Sequence, residues 1–273
     1  MNLFKVEIKK NIKGGIIWGI VLSGILSLYM AFFPTMREAG FSELMDGKLD
    51  MLPEGLLDSL GLTEMPDFSI FMEYYTYVFQ FIIIGIAIYA MILGTKALSK
   101  EEGDKTIEFL YAKSVTRSQI IISKMISSIL LLCIVILMVM TTSLVADLIH
   151  TSGKNTLMIL IVNCMMLIPI LVYWSIGFAI SSFLKDDNKS IVIAISLFFG
   201  TYLIGMVANT IADLEMLKYL SPINYNSAAE IFKFFDNRIG AELNISALIL
   251  SAFIFASGIV TTFIKYNEKN LLS

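Results

Sequence analysis

The sequence predicts an all-α integral membrane protein that crosses the bilayer six times within a single domain, residues 1–273. Hydrophobic types make up 57% of its residues and charged types only 16%, whereas charged residues form about a quarter of a soluble domain. The mean hydropathy of +0.79 indicates the same class. The charge-poor stretches form blocks of roughly 20 residues, the length of a helix that crosses a bilayer core. The six predicted spans are about 14–33, 74–95, 125–146, 157–183, 191–212 and 243–264.

The N-terminal residues 1–13 predict a short helix in the membrane interface, because apolar residues are interleaved with four lysines. Span one is longer than the apolar core of a signal peptide and no small-x-small cleavage site follows it, so we interpret it as a permanent helix. Small residues recur there at every fourth position, a pattern that favours close helix packing. These residues are Gly15, Gly19, Ser23 and Ser27; chance recurrence is the alternative.

The connections between the spans differ in length and charge. Pro34 is expected to end span one, and the stretch 35–73 contains nine acidic residues. Residues 213–242 form a second long loop, with an amphipathic piece at 225–235. Pro169 is expected to kink span four, because proline has no N–H to donate within a helix.

Lysine and arginine are distributed unevenly between the two sides of the membrane. With six spans, fourteen of them fall on the side of both termini and of the 96–124 segment, and six fall on the other side. Loops rich in lysine and arginine stay in the cytoplasm. The sequence therefore predicts cytoplasmic termini, a cytoplasmic 96–124 segment, and extracellular loops at 34–73 and 213–242.

The chain lacks the residues that several classes of protein need for their function. No Asp, Glu, Lys or Arg lies deep in a predicted span, whereas ion-driven carriers keep ionisable groups there. The sequence has no G-x-x-x-x-G-K-[ST] phosphate loop, no H-E-x-x-H and no G-x-S-x-G. His150 is the single histidine, and Cys133 and Cys164 lie in apolar runs, where a thiol acts as a small hydrophobe. We therefore expect no catalytic site, no metal site and no cofactor in this chain.

Two asparagines within the predicted spans, Asn163 and Asn209, are candidate polar residues of a transport pathway. Amide side chains in membrane helices also form hydrogen bonds between neighbouring helices. Both interpretations remain open from the sequence.

The 96–124 segment between spans two and three combines charge with helical apolar spacing. Ile107, Leu110 and Tyr111 fall on one face of a helix, while Glu108 and Arg117 lie elsewhere on the turn. A partner protein can grip such an amphipathic helix at the membrane surface. The alternative is an ordinary basic cytoplasmic loop, which needs no apolar face. A transporter without an energy source of its own would draw its energy from such a partner.

This segment carries a resemblance to a known family. The runs EEGDKTIEFL (101–110) and SVTRS (114–118), followed by Lys124, resemble the motif E-x-x-x-G-T-[LI]-E-x-L-L-x-x-P-[VI]-[ST]-R-x-x-[IL]-x-x-x-K of type-2 ATP-binding-cassette (ABC) permeases. Two features depart from it: the Gly–Thr pair is spread over Gly103 and Thr106, and Ser114 replaces the common proline. The six spans and the run 220–222 before span six extend the resemblance over the whole chain.

The resemblance implies that the segment contains the coupling helix that sits on an ATPase subunit. The coupling residues would be Glu101, Glu102, Gly103, Thr106, Ile107, Glu108, Leu110, Tyr111 and Arg117. Gly103 can break the helix that leaves span two, and Thr106 can cap the coupling helix, with Glu108 in its first turn. Arg117 and Lys124 would reach lipid phosphates or acidic residues of the ATPase.

The implied function is that of the membrane subunit of an ABC exporter in a bacterial plasma membrane. The expected partners are an ABC ATPase subunit that binds ATP and Mg²⁺, a second permease subunit, identical or not, and membrane lipid; no nucleic acid is expected. An alternative is a non-transporting membrane sensor or assembly factor that recruits partners through the 96–124 segment. A self-sufficient channel would need pore-lining charges, which the spans lack.

Overall fold

The computed structural model describes residues 3–38, 66–103, 116–184, 187–238 and 241–268. Within these ranges the chain folds into helices and turns, without a strand. Six helices within the described ranges are long and apolar enough to cross a membrane. The predicted all-helical architecture with six spans is therefore confirmed.

Spanning helices that follow one another in the chain run antiparallel. In chain order the helices are α1 (Leu3–Ala31), α2 (Phe33–Glu38), α3 (Phe71–Gly103), α4 (Arg117–Thr151), α5 (Thr156–Ser181), α6 (Asp187–Thr210), α7 (Ala228–Phe235) and α8 (Ile245–Glu268). Two 3₁₀ segments, Ala212–Leu220 and Pro222–Asn224, lie between α6 and α7. We call the end of the bundle that holds Leu3 and Glu268 the terminal end, and the other end the opposite end.

Helix α1 is continuous from Leu3 to Ala31, so the structure does not separate an interfacial helix at 1–13 from span one. The helix continues through glycines 14 and 15, and a Cβ on Gly15 would lie 3.2 Å from the Tyr89 hydroxyl and 3.4 Å from Leu131. The helix ends before Pro34, which lies in the first turn of α2, where proline is tolerated.

The tightest helix contact joins α3 to α5, where two glycines meet. A Cβ on Gly94 would overlap backbone atoms of Trp174 and Phe178, and a Cβ on Gly177 would lie 2.6 Å from the carbonyl oxygen of Met91. Small residues at such a crossing let two helix backbones approach closely. These two helices also supply most of the large, fully buried aromatic side chains of the described core, namely Tyr75, Phe79, Tyr173, Trp174 and Phe178.

Helix α1 packs against α4 through side chains. The packed face of the span runs through Gly15, Gly19, Leu22, Leu26 and Met30. Because a helical turn holds 3.6 residues, a stripe repeated every fourth residue drifts around the helix. Accordingly, Ser23 is only partly buried and Ser27 is exposed, so the predicted small-residue stripe does not continue as a packed face within this chain.

Asp147 closes the tight turn between α4 and α5. Its carboxylate accepts hydrogen bonds from the hydroxyl of Thr151, the backbone N–H of Asn155 and the hydroxyl of Thr156. Gly153 has a φ of +80°, a conformation that favours glycine. The buried carboxylate therefore lies at the end of the span, where local donors satisfy it.

Residues 221–235, which we call the re-entrant segment, pack inside the opposite half of the bundle. Ile223, Ala228 and Ile231 are buried, and the N–H of Ala228 donates to Gln80 Oε1 at 3.2 Å. Gln80 lies roughly 13 Å along α3 from its first residue, at about 1.5 Å per residue. Within the predicted loop at 213–242, this part packs against the bundle because its apolar residues find a buried face. The predicted amphipathic piece forms α7.

Candidate functional site

The described part of the 96–124 segment forms the last turns of α3 and the first turns of α4. Residues 104–115 lie outside the described residues, and with them the predicted coupling residues Thr106, Ile107, Glu108, Leu110 and Tyr111. For Glu101, Glu102 and Gly103 the structure gives a helical backbone at the end of α3. The described residues therefore form the base of the segment, where the chain leaves α3 and enters α4.

Arg117 ties the beginning of α4 to the end of α8. Thr116 caps α4 in a capping box with Gln119, which orients the first turn. The Nη1 of Arg117 donates to the carbonyl oxygens of Tyr266 at 3.2 Å and Asn267 at 2.6 Å. A cation is favourable at a helix C-terminus, where carbonyls lack intrahelical partners. Arg117 thus contacts its own chain at this position, which the sequence did not predict.

Ser99 ties the end of α3 to the beginning of α6. Its hydroxyl lies 2.7 Å from that of Ser190, and both side chains are fully buried. Ser99 also donates to the carbonyl of Thr95 within its own helix. The two helices are therefore joined through a buried hydroxyl pair at the terminal end.

Lys124 forms a buried ion pair with Glu7. Its Nζ lies 3.3 Å from Glu7 Oε1, with the lysine side chain 3% exposed and the glutamate 10% exposed. The prediction that Lys124 reaches lipid or a partner at the surface is therefore wrong, because the lysine lies in the third turn of α4 against α1. The signal for its partner was weak: Glu7 is the single acidic residue among the lysines of 1–13.

The ion pair lies in a cleft of about 60 Å³ between α1, α3 and α4. Asn11, Lys96, Ser127 and Ser128 contribute the other polar groups of its lining. Ser128 also accepts a hydrogen bond from Trp174 Nε1 at 3.0 Å, which connects the cleft to α5. The terminal end thus has a polar interior that holds four of the six spans together.

At the opposite end, Arg238, three residues after the re-entrant segment, forms an ion pair with Glu73 at the start of α3. Its Nη1 lies 2.5 Å from Glu73 Oε1, and its Nε lies 3.0 Å from Asp236. These carboxylates raise the pKa of Arg238 above its usual value. The guanidinium also lies over the ring of Phe232, 4.9 Å from its centroid. A cleft of about 210 Å³ opens beside this contact.

The two candidate pathway asparagines have different positions. Asn163 is buried and donates to the Tyr75 hydroxyl at 2.9 Å and to the Ile159 carbonyl at 2.8 Å. Tyr75 in turn donates to Ser143 at 3.0 Å, so Asn163 belongs to a hydrogen-bond network that links α3, α4 and α5. Asn209 lies in the last turn of α6, and its side chain is outside the described residues.

The polar groups described above form contacts between helices. Across the described ranges, no three His, Cys, Asp or Glu side chains are grouped so as to hold a metal ion. The polar contacts at the terminal end instead connect both flanks of residues 104–115 to other helices of the bundle. A force on that stretch would act on α1, α6 and α8 as well as on α3 and α4.

A family model described as ABC-2 family transporter protein matches residues 1–259. A search of curated proteins found no match.

Proposed function

The chain belongs to the ABC-2 family of transporter permeases, and on that premise we propose that it exports a substrate with energy from a separate ATPase subunit. It is a multi-pass membrane protein and a permease subunit of an ABC transporter. In this proposal ATP and Mg²⁺ bind to the ATPase. A second permease subunit, identical or not, completes the membrane part, and both termini face the cytoplasm.

The observation that carries the proposal is the way in which the base of residues 104–115 is fastened. Arg117 contacts the end of α8, Ser99 contacts α6, and Lys124 contacts α1. These contacts support the interpretation that the segment moves the bundle, in preference to the interpretation that it is a free surface loop. A displacement at residues 104–115 would reach three further helices through short polar contacts.

The proposed cycle begins when ATP closes the ATPase dimer and displaces the coupling helix. The flanks of residues 104–115 carry the displacement into α3 and α4, and the contacts of Arg117 and Ser99 pass it to α8 and α6. The pathway then opens outward between the two permease subunits. The basic character of the terminal end supports its location in the cytoplasm.

The test replaces the apolar face of the proposed coupling helix. We expect the variants Ile107→Asp and Leu110→Asp to lose the ATPase when the full-length chain is purified from its own membranes in mild detergent. A charged side chain on that face would remove the apolar contact while the six spans still insert. ATP hydrolysis and mass spectrometry of the purified complex measure the loss.

The matched control is Lys113→Ala, which changes the same stretch outside the proposed apolar face and should keep the ATPase bound. Retention of the ATPase by both aspartate variants would contradict the coupling assignment. If the unaltered chain is purified without a bound ATPase, the result would contradict the proposed function.

A further inference from the structure

A small cavity between α5, α8 and the re-entrant segment contains an unpaired amide donor. Asn226 is 8% exposed, and its Nδ2 has no hydrogen-bond partner among the protein atoms of the described residues. Its Oδ1 accepts the backbone N–H of Asn244 at 2.8 Å, which fixes the orientation of the amide. Buried donors without an acceptor are rare in native proteins, so the amide nitrogen needs an explanation.

Helix α5 supplies an unpaired acceptor at the same cavity. Pro169 has no N–H, so the carbonyl of Met165, four residues earlier, loses its intrahelical partner. Both residues line the cavity, together with Asn226 and Ser251. The Ser251 hydroxyl donates to the carbonyl of Ala247 at 2.8 Å, and its oxygen can still accept a hydrogen bond.

The size and the lining of the cavity fit one water molecule. The cavity has about 10 Å³ of room for the centre of a water, and one buried water needs roughly 10–15 Å³ by this measure. A buried water typically makes about three hydrogen bonds. Here a water can accept from Asn226 Nδ2 and donate one hydrogen each to the Met165 carbonyl and to Ser251 Oγ.

We propose that a buried water molecule bridges Asn226, the Met165 carbonyl and Ser251, and so fastens the re-entrant segment to the proline break in α5. The helix bond that Pro169 removes is replaced by a contact that leaves the helix. The proline therefore creates the acceptor that positions the re-entrant segment, in addition to any effect on the shape of α5.

The direct test is an experimental structure of the full-length chain at a resolution that shows ordered water. A density peak for one water is expected within hydrogen-bond distance of Asn226 Nδ2, the Met165 carbonyl oxygen and Ser251 Oγ. A cavity without density would overturn the proposal. A lipid or substrate group in the cavity would also overturn it, because water would then not be the ligand.

A second test compares thermal unfolding of the full-length chain in two backgrounds, the unaltered chain and the Pro169→Ala variant. Asn226→Asp keeps the acceptor for Asn244 and removes the amide donor, so it should lower Tm by about 2–4 °C, the shift for roughly one hydrogen bond in a chain of this size. Pro169→Ala returns an N–H to the Met165 carbonyl. In that background the Tm loss from Asn226→Asp should fall to less than half.

The control for this comparison is Asn224→Asp. Asn224 donates from the same segment to Ser221 Oγ at 3.0 Å and does not line the cavity. Its substitution should lower Tm equally in the unaltered chain and in the Pro169→Ala background. An equal Tm loss from Asn226→Asp in both backgrounds would contradict the bridge.

Discussion

The two principal helix pairs of the bundle, α3–α5 and α1–α4, are held together by different kinds of contact. At Gly94 and Gly177, α3 and α5 place main chain against main chain. In the α1–α4 pair, the three atoms nearest to a Cβ on Gly19 would all belong to the side chain of Met138. That second pair is closed at the terminal end by the ion pair of Glu7 and Lys124.

This difference indicates which part of the chain can adjust. Main-chain atoms in contact cannot move apart without moving a whole helix, whereas a methionine side chain can change rotamer to fit a shifted neighbour. Packed helices can slide by small amounts when side chains at the contact rearrange. In the proposed transport cycle, α3 and α5 would move as one unit, and small shifts would occur between α1 and α4.

The largest effect is expected from Gly94→Ala. Overpacking a core contact typically costs about 1–3 kcal/mol. Because the added methyl meets backbone atoms here, we expect the free energy of unfolding to fall by about 3 kcal/mol or more. Thermal unfolding and the monodisperse yield in detergent measure it. Gly200→Ala is the control, because a Cβ there meets nothing within 4 Å. Equal stability of the two variants would show that α3 and α5 separate easily.

A smaller loss is expected from Lys124→Met, which leaves the Glu7 carboxylate in the cleft without its lysine. Breaking a buried ion pair by removing one partner costs about 3–5 kcal/mol. We expect the free energy of unfolding to fall by about 2–3 kcal/mol, which is less than this range. Asn11 Nδ2 still lies 3.5 Å from Glu7 Oε2 and can donate to the carboxylate. Adding Glu7→Gln to this variant should recover part of the loss, since no charge then remains unpaired. A double variant less stable than Lys124→Met alone would count against the pair.

The equivalent change at the opposite end, Arg238→Gln, should cost less. The arginine side chain is 35% exposed, and solvent screens ion pairs of this kind, so we expect a loss of at most about 1 kcal/mol that shrinks in high salt. Lys265→Gln, in a more exposed pair with Glu268, serves as the control with little expected change. A loss at Arg238 as large as that at Lys124 would remove the contrast between the ends.

The spans could be predicted from the sequence because bilayer thickness and apolar composition act locally along the chain. The residues that meet across the bundle could not be predicted in this way. Gly94 and Gly177 lie 83 positions apart, and no pattern in one sequence shows which glycines meet. The small-residue stripe beginning at Gly15 is recognisable in the sequence, yet it lies in the pair whose glycine meets a side chain and not a backbone.

The burial of the re-entrant segment, though not its amphipathic helix, was missed for a related reason. Its apolar residues are separated by polar ones that include Lys233, and Lys218 and Arg238 lie on either side of it, so its composition is typical of a surface loop. Burial of the segment depends on space left by Gly205, where a Cβ would overlap Ser221 and Asn224. That space comes from a different helix, which local composition does not reveal.

The smallest effect is expected from Gly19→Ala, which tests directly whether the α1–α4 contact adjusts. The new Cβ would lie 2.5 Å from Met138 Sδ, a contact that the methionine can relieve by rotating. Alanine also favours the helix by roughly 0.5–1 kcal/mol over glycine, so the two terms should nearly cancel. Thermal unfolding should therefore differ from the unaltered chain by at most about 0.5 kcal/mol. A loss comparable to that of Gly94→Ala would show that α1 and α4 are held as rigidly as α3 and α5, and movement within this chain would then have to occur at other contacts.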